Sequence, residues 1–506
     1  MKFLSAATLL AAATQLASAR YIMYADEWHL SDLGNRTTNA GIDTAIMAFV
    51  STNDFLTEEG GTFELFEPVE TFRARFDPGV KVLAAIGGWN DVNYTLTMKD
   101  EAARTRFANN CKKLIEKYNL DGIDIDYEYV GGNGADYKTV PNTEKVWEID
   151  AFPLLLEATR KAIGQDKLLS IAVPGLERDM MAFTPDTMPK IVPLVDWFGI
   201  MTYDFMNRRD NFTKHHTDLV GSRASIQRYL DLGLPASKAT LGFAFYAKYF
   251  TIDPKSNCAQ EPLGESCKTV ALELADGSDN GLSGALTFEP SSKPTTAPTN
   301  LTESPDGTCG GTTGYKCSAG NCCSSGGWCG NSEAHCGLSC QAGWGQCNGL
   351  TAIQSWQNAL AKPVVDEANG GHYFLDRNAS LFWTWDEPVH IERKFDEIVD
   401  VLGVANVMAW SLAEDSLDWR HLFAIQDGVK QHCLSEIEGF NDAACAAKEN
   451  TTTTWTTISK EALSRAVESY KGGAYYRNTP HFYAAPVQPR GLPAGFAEVN
   501  AHGHSI

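Results

Sequence analysis

Eight short and almost uninterrupted apolar runs punctuate the chain, at Tyr21–Ala25, Thr44–Val50, Val80–Ile86, Gly122–Tyr127, Leu168–Val173, Trp197–Thr202, Thr240–Tyr246 and Val404–Leu412. Strands that are apolar along their whole length are covered on both faces, the condition met in a parallel sheet. Amphipathic helical patterns fill the gaps, clearest at Asp100–Tyr118 and Lys145–Ile163. Eight strands alternating with about as many helices predict an α/β fold, a (β/α)8 barrel. An open doubly wound sheet is the competing arrangement, but no G-x-G-x-x-G follows the first run.

One interval breaks the rhythm. Between Tyr246 and Val404 the chain makes a long excursion in the seventh βα connection, on the barrel face where loops carry function. It reads as an α+β insertion (251–288 and 350–388) interrupted by a Pro/Ser/Thr-rich linker (289–307) and a cysteine-rich module (308–349). Tyr373–Asp376 and Leu381–Trp385 predict a hairpin. The barrel proper spans 20–250 and 350–430, closed by a helix near Asp418–Val429, and 431–506 is an extension of unknown role.

Residues 1–19 combine Lys2, an apolar stretch too short to span a bilayer and Ala17-Ser18-Ala19, the pattern of a secretory signal peptide. Thirteen cysteines fit the oxidising compartment this implies. Cys258 with Cys267, and Cys433 with Cys445, are expected local disulfides, while Cys111 sits at helical spacing from Phe107, Leu114 and Ile115 and reads as a buried apolar thiol. Eight further cysteines (Cys309, Cys317, Cys322, Cys323, Cys329, Cys336, Cys340 and Cys347) lack a paired C-x2-C pattern, so disulfides are expected there and no metal. With 63 acids against 42 bases the net charge is −21, which argues against nucleic acid or an anionic membrane as partner.

The most informative stretch is Asp121-Gly-Ile-Asp124-Ile-Asp126-Tyr-Glu128. On a strand Asp124, Asp126 and Glu128 share one face and Ile123, Ile125 and Tyr127 the other. In isolation this reads as an amphipathic strand with its acids in water. In a barrel the apolar face packs on helices and three carboxylates point inward, where like charges force their pKa values apart. Such an arrangement serves acid–base or metal chemistry. The spacing is not that of a calcium loop, and acid–base chemistry is preferred.

Asp121 to Glu128 resembles the D-G-x-D-x-D-x-E signature of the family 18 glycoside hydrolases, the chitinase family. Ala85-Ile-Gly-Gly88-Trp89 is similar to its third-strand motif, with Ala85 for Ser, and Met201-Thr-Tyr203-Asp204 to its sixth-strand motif. Trp410 resembles the eighth-strand Trp beneath the central sugar, and Tyr127 replaces the commoner Trp. The resemblance implies that Glu128 is the general acid, that Asp126 and Asp124 hold the substrate's acetamido group and share a proton, and that Tyr203 orients the acetamido carbonyl. It implies substrate contacts for Asp204, Met201, Trp410, Trp89, Gly88, Tyr129 and Tyr24. No second carboxylate attacks; the acetamido oxygen does.

The cysteine-rich module resembles a hevein-type chitin-binding module, which implies sugar contacts for Ser324, Trp328 and His335; Gly326 stands where an aromatic residue is usual. The expectation is a secreted, monomeric chitinase acting on chitin and chitooligosaccharides, with no cofactor. An endo-β-N-acetylglucosaminidase acting on N-glycan cores and a non-catalytic chitin-binding lectin are the alternatives.

Overall fold

The computed structural model describes residues 19–441 apart from 31 and 294–296, so the signal-peptide segment and Cys445 lie outside the described residues. The strands of its two main sheets, in chain order, are β1 (Arg20–Asp26), β2 (Thr44–Val50), β3 (Lys81–Gly87), β4 (Gly122–Asp126), β5 (Leu168–Pro174), β6 (Trp197–Met201), β7 (Ala239–Ala244), β8 (Tyr246–Thr251), β9 (Ser283–Thr287), β10 (Val364–Asp366), β11 (Gly371–Asp376), β12 (Leu381–Trp385) and β13 (Asn406–Trp410). The longer helices are α1 (Glu101–Tyr118), α2 (Glu148–Ile163), α3 (Leu219–Asp231), α4 (Ala352–Ala361) and α5 (Arg420–His432).

Strands β1 to β7 and β13 close an eight-stranded parallel barrel in the order β1-β13-β7-β6-β5-β4-β3-β2, as the eight apolar runs predict. Alternation sorts their side chains. Outward residues such as Met23, Val82, Ile123 and Ile125 join the helices in the largest apolar cluster, while Ile22, Leu83, Ala85, Trp197 and Met408 fill the interior. Helix α1 starts at Asp100, whose carboxylate accepts from the Ala103 N–H, and stops at Asn119 in left-handed conformation.

Most strand ends shift by one or two residues from the sequence reading, Asn406–Trp410 against Val404–Leu412 among them, and two of the shifts bear on the site. The seventh strand ends at Ala244; Tyr246 already opens the inserted sheet, because Phe245 donates its N–H to the Trp410 carbonyl and the chain then leaves the barrel. The apolar run from Leu241 to Phe250 carries no break to mark this. Strand β4 ends at Asp126, which leaves Glu128 in the turn just beyond it. The insertion forms an antiparallel sheet, β9-β8-β12-β11-β10, with β11–β12 as the expected hairpin. Its core stacks Trp356 of α4 on Trp383 at 5.0 Å.

Candidate active site

The carboxylates sit at the C-terminal mouth of the barrel because β4 delivers them there. Asp124 and Asp126 are inward residues of β4, and all three acids are buried (0%, 3% and 9% exposed for Asp124, Asp126 and Glu128). Asp124 accepts hydrogen bonds from the Tyr24 hydroxyl at 2.9 Å and the Ser170 hydroxyl at 2.6 Å. Those donors favour its charged form, yet burial outweighs them and lifts its pKa to about 6. Asp126 has no such donors and faces Glu128 and Asp124, so burial and the two like charges push its pKa well above the carboxylate range. One oxygen of Asp126 (Oδ1) and one of Glu128 (Oε1) are buried with no hydrogen-bond partner among the described residues. Burial of that kind is costly in a closed structure and is relieved by a ligand.

Glu128 is pushed up to about 8, first by burial and then by the Asp204 carboxylate, with Lys248 acting in the opposite direction. Asp204 follows β6 with φ +56°. It accepts from the Tyr246 hydroxyl and from Lys248 Nζ, each at 2.9 Å, both on the inserted strand β8. Tyr203 is buried, its ring edge-on to Tyr246 at 6.1 Å.

Glu128, Met201, Tyr203, Asp204 and Trp89 line one hollow, together with Lys248, Asp179, Arg208, Arg209 and Asp279. Trp89 also lines a second hollow, walled by Trp28, Phe49, Gly88 and Asp91. Phe49, a wall of the second hollow, stacks on Trp410 at 5.3 Å, Tyr24 meets the same indole at 5.7 Å, and Trp410 also packs in one cluster with Met201 and Tyr203 of the first hollow. Gly88 has φ +90°, and a Cβ there would come within 2.9 Å of the Phe49 ring.

Tyr24 and Tyr129 stand back from the cleft. Tyr24 supports Asp124, and Tyr129 is 1% exposed with its hydroxyl donated to the Asp91 carbonyl at 2.6 Å, edge-on behind Trp89. Both departures from the family motif are compensated. Ala85 pairs with Asp124 in the β3–β4 register, and Asp124 draws its donors from Tyr24 and Ser170 instead. Tyr127 points outward, stacks on Tyr94 at 4.6 Å and donates to buried Glu148 at 2.7 Å. The structure also brings in residues that sequence reasoning missed: Ser170, Lys248, Arg209 and Trp28. Lys248, a lone cation in an apolar run, was the one with a local signal. Asp26, His29 and Glu414 place potential ligand atoms within 4.8 Å of one another, with His29 Nδ1 2.9 Å from Asp26 Oδ1.

The module is held by disulfides Cys309–Cys323, Cys317–Cys329, Cys322–Cys336 and Cys340–Cys347, and the insertion by Cys258–Cys267. Cys433 is disulfide-bonded, and Cys111 is a buried free thiol. Trp328 is 56% exposed, and Ser324 Oγ accepts from its N–H at 3.2 Å. His335 hydrogen-bonds Ser332 at 2.7 Å and lies over Gly330, where a Cβ would come within 2.6 Å of the imidazole.

The chain is 30% identical over 213 residues to chitinase A1 of Niallia circulans, covering 37% of this chain but only 29% of that protein. Its fold matches a chitinase of Rhizomucor miehei (TM-score 0.54, 17% identity, 81% of this chain and 100% of that one). It also matches a family 18 chitinase of Cycas revoluta in complex with (GlcNAc)4 (TM-score 0.52, 18% identity, 81% and 99%). The model of glycosyl hydrolases family 18 matches residues 20–415, taking in the barrel, its inserted sheet and the buried acids, and the chain belongs to that family.

Proposed function

We propose that the protein is a secreted chitinase that cleaves β-1,4 linkages between N-acetylglucosamine units with retention of configuration, using the substrate's acetamido group as nucleophile. The observation that carries this reading is the buried pair of open carboxylate oxygens on Asp126 and Glu128 at the mouth of the barrel. Glu128, with a pKa near 8, still holds its proton at neutral pH and donates it to the glycosidic oxygen. The acetamido oxygen then attacks the anomeric carbon of the same sugar, an internal step with the high effective concentration of an intramolecular reaction. Asp126 takes up the acetamido N–H, and its proton passes to Asp124, whose two hydroxyl donors make it the better charged partner at rest. Tyr203 orients the acetamido carbonyl, Trp410 floors the sugar, and Asp204, Met201, Gly88 and Trp89 position its neighbours. Water, deprotonated by Glu128, opens the ring intermediate from the original face. The module holds insoluble chitin through Ser324, Trp328 and His335.

Incubation with N-acetylglucosamine oligomers and, separately, with an N-glycoprotein tests the reading. Cleavage of the oligomers is expected, with the β-anomer first in NMR spectra of fresh hydrolysate. Release of N-glycans without oligomer cleavage, or an initial α-anomer, overturns it.

A further inference from the structure

The hollow that holds Glu128 has a wall built from three separate loops, tied together at one buried side chain. Glu273, in the inserted segment between β8 and β9, has a side chain 6% exposed. It accepts from the Tyr137 hydroxyl at 2.7 Å, pairs with Lys138 at 2.7 Å and takes Arg208 Nε at 3.3 Å. Tyr137 and Lys138 belong to the loop after β4, and Arg208 to the loop after β6. Beside this knot, the Arg209 guanidinium lies 4.1 Å from the Tyr137 ring centroid and 5.4 Å from that of Trp89, and it donates to the Gly134 carbonyl at 2.9 Å. A buried carboxylate with three donors is a built junction and not an incidental surface ion pair.

The two hollows share Trp89 but end differently. Glu128 opens on the first, while the second is walled by Phe49, whose ring stacks on Trp410 between the two. A sugar seated on Trp410 therefore directs its leaving group into the first hollow and the rest of the chain past Trp28. We propose that the Glu273 junction closes the leaving-group end of the cleft, so that the protein releases mono- and disaccharides from the reducing end of its substrates. This inference rests on the chitinase reading and adds a polarity and a length limit to it.

Hydrolysis of the N-acetylglucosamine hexamer in 18O-water separates the two sides. Water's oxygen joins the anomeric carbon of the retained fragment, whereas the leaving fragment keeps its original oxygen. Mass spectrometry of the wild-type digest is expected to show unlabelled products confined to the mono- and disaccharide. In Glu273→Ala, and more weakly in Tyr137→Phe, which removes one hydroxyl and keeps the ring under Arg209, unlabelled tri- and tetrasaccharide should rise at least about tenfold, 1.4 kcal/mol of discrimination. Melting curves identify variants that keep the fold. Wild-type digests already rich in long unlabelled fragments, or folded variants with an unchanged profile, overturn the closure while leaving the chitinase reading intact. Absence of any hexamer cleavage overturns both.

Discussion

Glu128 combines burial with a facing Asp204 carboxylate, which keeps its proton on, and in the proposed mechanism this is the proton donated to the glycosidic oxygen. Glu128→Gln is expected to lower turnover on soluble oligomers by at least about a hundredfold while oligomer binding survives. The same change should stabilise the fold. The folded pKa of about 8 exceeds the ordinary 4.5, so the folded state binds more protons and stability falls as pH rises from about 4.5 to about 8. Glutamine removes that dependence, and melting scans should show the variant's advantage growing from pH 4 to pH 8. The pH profile of turnover should have an acid limb near 6, from Asp124, and an alkaline limb near 8, from Glu128. Lys248 favours the charged form of Glu128 and neutralises Asp204. Lys248→Met therefore moves the alkaline limb upward; a downward or absent shift would show that Lys248 does not tune the acid.

Strand β4 and helix α2 are joined by Glu148, fully buried, which accepts from the Tyr127 hydroxyl at 2.7 Å, the Thr95 hydroxyl at 2.7 Å and the Gly131 N–H at 3.0 Å. Its place in the first turn of α2 also suits the helix dipole. Glu148→Ala leaves three donors without an acceptor, and each unsatisfied buried group costs about 1–3 kcal/mol, so a loss of at least about 2 kcal/mol is expected in denaturant unfolding. The barrel strands were legible because each is an apolar run set off by turns and helices. The break at Phe245 was not, since Leu241 to Phe250 is apolar on both sides of it and only tertiary pairing ends the strand. The inward set of acids was legible from alternation once eight covered strands had set a barrel context, because alternation by itself only sorts the acids onto one face. What tunes them was not: Lys248 reaches Asp204 across 44 residues, and Glu273 reaches Tyr137 across 136, distances over which a one-dimensional pattern carries no signal.

At the scale of the molecule, the exposed Trp328 ring and the buried acids stand on separately built units, one knotted by disulfides and one packed around a barrel. Removing 309–347 should weaken adsorption to insoluble chitin and spare hydrolysis of soluble oligomers, and Trp328→Ala should reproduce most of the loss, since a stacked ring contributes roughly a kcal/mol. Sedimentation with chitin particles and oligomer assays on the same preparations check both halves. If deletion abolishes oligomer hydrolysis, the module is part of the cleft. The chain leaves the inserted core at Phe288 and re-enters it at Trp356, and these two rings are 5.5 Å apart. The module is thus an excursion with both ends sewn to one spot. Pro/Ser/Thr-rich connectors such as 289–307 attract proteases, and on a terminal module one nick there would shed it. Here a single cut converts a closed loop into a one-ended leash running through Ala352, and the module stays attached until a second cut is made.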